Sequence, residues 1–189
     1  MGCWQCGNCG KSQPEKKRLT NLIGPPYPGH LVLMGADGCQ VLALADKVPK
    51  ISVLAMDVER LLPLAAALND RDNIDLIASE HNPLAASTAD IVYMEDACAW
   101  DWAWLPKIAD WLCAGGSLLL AGTFRNSRRP ETGVGFWPEW ETRLRSQGLV
   151  PRFMQYNIEK EIYDADGEQE HSVFQAVIKA VKEFSDADR

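Results

Sequence analysis

The stretch from His30 to Asp57, HLVLMGADGCQVLALADKVPKISVLAMD, predicts a strand, a glycine turn, a helix and a second strand. Its first apolar run, Leu31–Met34, contains no polar residue, which is typical of a strand buried on both faces of a parallel sheet. Gly35 and Gly38 follow, and glycine lets the backbone bend sharply and approach a ligand or a helix. An acid about 20 residues after such a turn is the layout of a nucleotide site, although glycine also simply makes the turn in many α/β folds.

The composition narrows the class of protein. The 189 residues, 47% of them hydrophobic, are enough for one domain with a core. The formal net charge of −7 argues against a nucleic-acid partner, since phosphate binding needs clustered Lys and Arg. The apolar runs are too short for a membrane span, and the first ten residues have no apolar signal segment. We therefore expect a soluble cytoplasmic protein, whose six cysteines are thiols or metal ligands rather than disulfides.

Strand and helix patterns continue to alternate beyond this stretch. A helical stripe runs over residues 104–112 before Gly115 and Gly116, and a polar loop is predicted over residues 122–135. The further strands are predicted over residues 51–56, 74–78, 89–94, 117–121, 154–158 and 171–181. This alternation predicts an α/β fold: a doubly wound, mostly parallel sheet that closes with an antiparallel C-terminal hairpin.

Three segments are distinguished along the chain. Residues 1–18 form a Cys-rich basic tail with no apolar periodicity. Residues 19–181 form the α/β domain, which starts with a proline-rich connector over residues 19–30 where no regular helix is expected. Residues 182–189 form a polar tail.

The Cys-rich tail is a candidate metal site. Cys3, Cys6 and Cys9 resemble the cluster-binding run of bacterial ferredoxins, C-x-x-C-x-x-C-x-x-x-C-P, except that Gln13 replaces the fourth cysteine. The same spacing resembles half a zinc knuckle, so zinc and an iron–sulfur cluster both remain open. Either metal needs a fourth ligand, for which the internal candidates are His30, Cys39 and His81. In the alternative interpretation the tail is flexible and binds no metal specifically.

Acidic residues follow several of the predicted strands. Asp57, Glu80 and Glu95 each come where a strand ends, as does the Gly35 turn. Because right-handed crossovers place every strand-to-helix loop at one edge of a parallel sheet, we expect these groups to line one crevice.

The order of these motifs resembles the class I S-adenosylmethionine-dependent methyltransferases, over about residues 20–181. Val32–Gly38 stands at the place of the family's glycine-rich first motif, Ala89–Val92 at its fourth strand and Leu112–Leu119 at the entry to its fifth strand. The resemblance implies a Rossmann-like fold, S-adenosylmethionine as cofactor and methyl transfer to a small-molecule substrate.

The resemblance also implies roles for individual residues. Asp57 would hold the ribose, and Glu80 would contact the adenine amine. The implied cofactor-binding residues are Gly35, Ala36, Asp37, Gly38, Asp57, Val58, Glu80, His81 and Glu95.

The first motif departs from the family pattern in two places. Leu33 occupies the usual position of an acid, and Asp37 that of the second glycine. Either Gly38 takes the glycine's role in a longer turn, or Asp37 replaces the missing acid in binding the α-amino group.

In-line displacement at a sulfonium methyl depends mainly on positioning, and only some acceptors need a general base. Candidate bases are Glu95, Asp96 and His81. In the alternative interpretation, Glu95 and Asp96 have a structural role, as acids whose charge is stabilised by a helix N-terminus.

Aromatic and basic side chains suggest the kind of acceptor. Trp104 and Trp111 fit a buried helical stripe, whereas Trp100 and Trp102 are candidates to wall an aromatic substrate. Arginines 125, 128 and 129 would suit an anionic group, or are simply solvated. Cys98 and Cys113 are interpreted as small buried apolar groups.

Two other functions stay open. In the first, the fold is a non-catalytic scaffold whose Cys-rich tail binds metal or a protein partner. Alternatively, an enzyme would use both parts, with a thiol or a metal-bound species as the methyl acceptor.

Overall fold

The computed structural model describes residues 19–36, 38–55, 58–68, 71–78, 84–126, 134–163 and 169–183. The chain divides into two compact units, unit 1 over Met1–Leu84 and unit 2 over Ala85–Arg189. Several predicted site residues lie outside the described residues: Cys3, Cys6, Cys9, Asp37, Asp57, Glu80 and His81.

Unit 1 contains three parallel strands in the order β3-β2-β1. Its elements are β1 (His30–Met34), α1 (Gly38–Ala45), β2 (Lys50–Ala55), α2 (Val58–Ala67) and β3 (Ile74–Ala78). All five residues of β1 are buried, as predicted from its unbroken apolar run. The connector predicted over residues 19–30 was expected to contain no regular helix, but residues 19–23 are helical and bury Leu19 and Ile23. The prolines that follow limit this helix rather than exclude it.

Unit 2 combines parallel and antiparallel strands in the order β4-β5-β8-β7, with β6 beside the end of β5. Its elements are β4 (Ala89–Met94), a 3₁₀ turn (Ala97–Ala99), α3 (Trp104–Trp111), β5 (Leu112–Arg125), β6 (Gly135–Phe136), α4 (Trp137–Ser146), β7 (Leu149–Tyr163) and β8 (Gln169–Lys182). Strands β4, β5 and β6 are parallel, whereas β8 and β7 are antiparallel to their neighbours. The predicted α/β class, with an antiparallel C-terminal hairpin, is confirmed.

Helices α3 and α4 of unit 2 each bury one face. Helix α3 buries Leu105, Ile108 and Trp111, and α4 buries Trp140 and Leu144. The helical stripe that begins at Trp104 predicted the buried face of α3. Within the described ranges, every helix is too short or too polar to cross a bilayer.

The entry to β5 differs from the prediction. The sequence pattern places the end of the helix at Gly115 and Gly116, but α3 ends at Trp111 and β5 begins at once with Leu112. The pairing with β4 jumps from Leu112 to Ser117, so residues 113–116 bulge out of the ladder. The two glycines therefore form this bulge: Gly115 has φ +76°, and a Cβ on Gly116 would lie 2.9 Å from the Cys113 carbonyl oxygen.

The far end of β5 is longer than expected. Residues 122–125 were predicted to belong to a polar loop, yet β5 continues to Arg125 because β8 pairs with it up to Val173. Phe124 is fully buried in this extension. The long-range partner strand, rather than local pattern, determines where β5 ends.

Replacing Gly116 with alanine is expected to lower the free energy of unfolding by about 1–3 kcal/mol. The new Cβ would meet three backbone oxygens at 2.9–3.2 Å, and backbone cannot move aside as a side chain does. Gly122→Ala, on the same strand, is the matched control, since its Cβ would have ordinary contacts from 3.5 Å outward. Urea unfolding of both variants provides the comparison. Equal stability losses would show that the close approach at Gly116 is relieved at no cost.

Candidate functional site

The turn after β1 is the candidate ligand-binding turn of unit 1. Gly35 is exposed and has φ +79°, a conformation that L side chains rarely adopt. Its N–H donates to the Leu54 carbonyl oxygen at 3.4 Å, which joins the turn to the carboxyl end of β2. Helix α1 begins at Gly38, immediately after the turn, and half-buried Ala36 lies between the two glycines. The backbone of Gly35 is therefore accessible at the edge where β1 ends.

Gly38 has a packing role that the sequence did not reveal. A Cβ on this residue would lie 3.2 Å from Leu64 Cδ1, so the missing side chain lets the start of α1 approach α2. Leu33, which stands where the methyltransferase motif has an acid, is fully buried in β1. Leu33, one of the two departures from the motif, is thus part of the buried core of unit 1.

The internal residues weighed as metal ligands have other surroundings. His30 is buried in β1, and its Nε2 lies 2.9 Å from Ser52 Oγ on β2. Cys39 is buried in α1. Over the described ranges, no cluster of three or more His, Cys, Asp or Glu residues could hold a metal ion. The tail cysteines lie outside these ranges, so tail metal binding stays a prediction.

The segment after β4 carries two of the candidate general bases and belongs to unit 2. Glu95 is half-buried, and Asp96 is exposed in the left-handed conformation with φ 51°. The Asp96 side chain makes no capping hydrogen bond to the 3₁₀ turn that follows, so hydrogen-bonded capping does not account for this acid. Trp100 Nε1 donates to the Glu95 carbonyl oxygen at 3.1 Å and holds the turn in place. Both carboxylates are thereby positioned at the carboxyl end of β4.

Cys98 connects three elements of unit 2. Its Sγ donates to the Thr123 carbonyl oxygen on β5 at 3.2 Å and accepts a hydrogen bond from the Gly135 N–H. A Cβ on Gly135 would lie 2.7 Å from both Cys98 Sγ and Trp140 Nε1, so this position needs glycine. The interpretation of Cys98 as an apolar filler therefore needs correction: the half-buried thiol is a hydrogen-bonded link.

Burial raises the pKa of Cys98 to about 11, with the Gly135 hydrogen bond lowering it and the Asp96 charge raising it. The sulfur is thus a neutral thiol at physiological pH and is not an activated nucleophile.

The aromatic candidates separate into core and partly exposed residues. Trp100 is buried at 6% exposure, and its ring contacts that of Trp104 edge-on at 5.9 Å. Trp102 is half-buried, with the Trp140 ring centroid 4.3 Å away and the Arg143 guanidinium carbon at 4.4 Å. Of the two loop tryptophans, Trp102 therefore retains some exposed surface.

Only one of the three candidate arginines falls within the described ranges. Arg125 lies at the carboxyl end of β5, with its guanidinium carbon 5.7 Å from the Phe136 ring centroid. Arg128 and Arg129 lie outside the described residues.

Comparison with known proteins shows the fold. Neither a protein-family model nor a curated protein matches the sequence. Among solved structures, YcgJ from Bacillus subtilis is similar with a TM-score of 0.70 at 10% identity, over 92% of this chain and 100% of that one. The arsenic(III) S-adenosylmethionine methyltransferase CrArsM from Chlamydomonas reinhardtii has a TM-score of 0.68 at 15% identity, over 92% and 75% of the two chains. The [4+2]-cyclase SpnF has a TM-score of 0.66 at 12% identity, over 91% and 82%.

These structures include S-adenosylmethionine-dependent methyltransferases, and the chain has their class I fold. The fold implied by the sequence resemblance is confirmed.

Alkylation of Cys98 by iodoacetamide is expected to be slow at pH 8, because a pKa near 11 leaves a thiolate fraction roughly a hundred times smaller than in an ordinary thiol. Peptide mapping by mass spectrometry would follow this residue among the other cysteines. The native rate should keep rising toward pH 11, whereas the urea-unfolded chain should level off near pH 9. Equal native and unfolded profiles would contradict the raised pKa.

Proposed function

We propose that the protein is an S-adenosylmethionine-dependent methyltransferase that acts on a small molecule. The observation that carries this proposal is the Gly35 turn. An exposed glycine with φ +79° follows a fully buried strand, is hydrogen-bonded to the end of β2 and precedes the first turn of α1. In a class I fold, this is where backbone N–H groups face a nucleotide-like ligand.

The residues around this turn fit the cofactor. Gly35 and Ala36 present accessible backbone, and Asp57, two residues after β2, would accept hydrogen bonds from the ribose hydroxyls. Because Leu33 is apolar and buried in β1, Asp37 is the acid that we assign to the α-amino group. Glu80, His81, Val58 and Glu95 complete the proposed set on sequence grounds.

The cofactor, when bound, supplies an electrophilic sulfonium methyl group. The chain's own residues then orient the acceptor and exclude water from it. An oxygen or nitrogen acceptor would lose its proton to Glu95 or Asp96, which the turn after β4 positions, or to His81.

A second function remains a specific competitor. SpnF has this fold and is a cyclase, so the fold by itself does not determine methyl transfer. With an acid in place of the second glycine, the chain would serve as a scaffold whose Cys3, Cys6 and Cys9 bind metal or a partner protein. A combined function, with a thiol or a thiolate-bound metal or metalloid species as methyl acceptor, would also require cofactor binding.

Calorimetric titration with S-adenosylhomocysteine tests the proposal. The wild-type chain should bind it at micromolar concentration, and Asp57→Ala should weaken binding by about 10- to 100-fold, since hydrogen bonds to a charged group contribute about 1.5–3 kcal/mol. Asp75→Ala is the matched control: this exposed acid on β3 pairs with Lys50 at 3.5 Å and should leave the affinity within about twofold.

Absence of binding at millimolar product would contradict the methyltransferase proposal. Metal analysis of anaerobically purified protein would then separate the alternatives. Stoichiometric zinc or iron that is lost in a Cys3→Ser, Cys6→Ser, Cys9→Ser variant would support the scaffold function.

A further inference from the structure

The β7–β8 hairpin of unit 2 has one buried face and one polar face. The buried face includes four alternate residues of β8: Phe174, Ala176, Ile178 and Ala180. Residues directly opposite each other in a ladder share a face. The polar face, between the pairs Asn157–Gln175 and Arg152–Lys179, therefore consists of Arg152, Gln155 and Asn157 on β7 and of Gln175, Val177 and Lys179 on β8. Four of these six residues are exposed: Arg152, Gln155, Asn157 and Gln175.

This polar face is cationic although the chain is acidic. The chain has 26 acidic and 19 basic residues, yet the six residues of the polar face include Arg152 and Lys179 and no Asp or Glu. In the part of the chain that the structure describes, neither of these cations forms an ion pair, whereas Arg143 and Arg145 of α4 each pair with an acid. The polar face thus departs from the charge balance of the rest of the chain.

The two cations lie directly opposite each other. Arg152 pairs with Lys179 in the β7–β8 ladder, where the Cβ atoms of opposed residues are about 4.5–5.5 Å apart. Like charges in this arrangement repel each other and lower stability. A carboxylate bound over the pair would replace the repulsion with two charge-assisted hydrogen bonds. The free protein therefore contains an unfavourable interaction that an anionic partner would relieve.

The neighbouring surface suits a protein better than another anion. Met154 follows in the same strand and is 45% exposed, at a bulge where the register with β8 skips it. Arginine and methionine are both enriched in protein–protein interfaces. The exposed amides of Asn157 and Gln175 can donate hydrogen bonds to a peptide backbone. A nucleic acid, in contrast, is bound through a wider cluster of cations than these two.

We propose that the polar face of the β7–β8 hairpin docks a partner protein through an acidic segment. Carboxylates of that segment bind Arg152 and Lys179, and an apolar side chain beside them contacts Met154. The complementary charge favours this class of partner and raises its rate of association. The proposal is independent of the methyltransferase function, because it uses only this face of the hairpin.

Thermal unfolding tests the repulsion between the two cations. Arg152→Glu and Lys179→Glu each convert the like-charge pair into an ion pair and should raise Tm by about 1–4 °C. The double exchange Arg152→Glu, Lys179→Glu opposes two acids and should remove this gain. Arg145→Glu is the matched control, since the same change of charge on α4 breaks an ion pair and should not raise Tm. Unchanged Tm values in both single exchanges would overturn the proposal.

Fluorescence anisotropy of the full chain with the labelled peptide Glu-Glu-Leu-Gly-Glu-Glu-Leu-Gly tests docking. At low salt, which preserves surface electrostatics, the wild-type protein should bind it saturably with a Kd below about 1 mM. Both single exchanges should weaken binding about tenfold or more, although they are the more stable proteins. Met154→Ser should weaken it about threefold, through lost apolar contact. Arg145→Glu should bind within about twofold of wild type.

The same peptide with Gln in place of Glu is the ligand control and should not bind. Absence of saturable binding of the Glu peptide to the wild-type protein would overturn the proposal, as would equal binding to Arg152→Glu. A labelled thymidine decanucleotide that bound as tightly as the Glu peptide would overturn the assignment to a protein partner.

Discussion

The structure of unit 2 depends on one constraint. The backbone N–H and C=O groups of a buried strand, β5, need hydrogen-bond partners along both of its edges. Leu118, Leu119 and Leu120 of β5 are almost completely buried, so water cannot pair with their N–H and C=O groups. Strand β4 pairs with one edge and β8 with the other. The antiparallel hairpin is therefore as necessary to this unit as the parallel strands, and the bulge at residues 113–116 is where β5 adjusts to its neighbour.

Much of this architecture is readable from local pattern. The unbroken apolar run at Leu31–Met34 predicted a fully buried strand, and the stripe beginning at Trp104 predicted an amphipathic helix. The predictions were wrong where a strand distant in sequence determines the local conformation. Leu112 fits the helical stripe, but its pairing with Ala89 makes it the first residue of β5. Phe124 lies in the predicted polar loop over residues 122–135 and is nevertheless buried, because its segment pairs with β8.

The candidate site also has features that local sequence predicts and features that depend on residues distant in sequence. A glycine after a buried strand and acids after later strands were predictable, because strand ends and residue types are local properties. The contacts that join Cys98, Gly135 and Trp140 were not predictable, because these residues are far apart in sequence and none of them belongs to a distinctive motif. The role of Gly38 was ambiguous for a similar reason: only the structure shows that a Cβ at this position would come within 3.2 Å of Leu64.

The pairing between β5 and β8 has a consequence for biosynthesis. Ser117 is opposite Val181, and Arg125 is opposite Val173, so one edge of β5 gains its partner only after residues 173–181 have left the ribosome. Until then a buried, apolar strand has an open edge, and such nascent states are prone to aggregate or to recruit chaperones. The parallel strands of unit 1 all lie within residues 30–78 and are therefore synthesised well before β8.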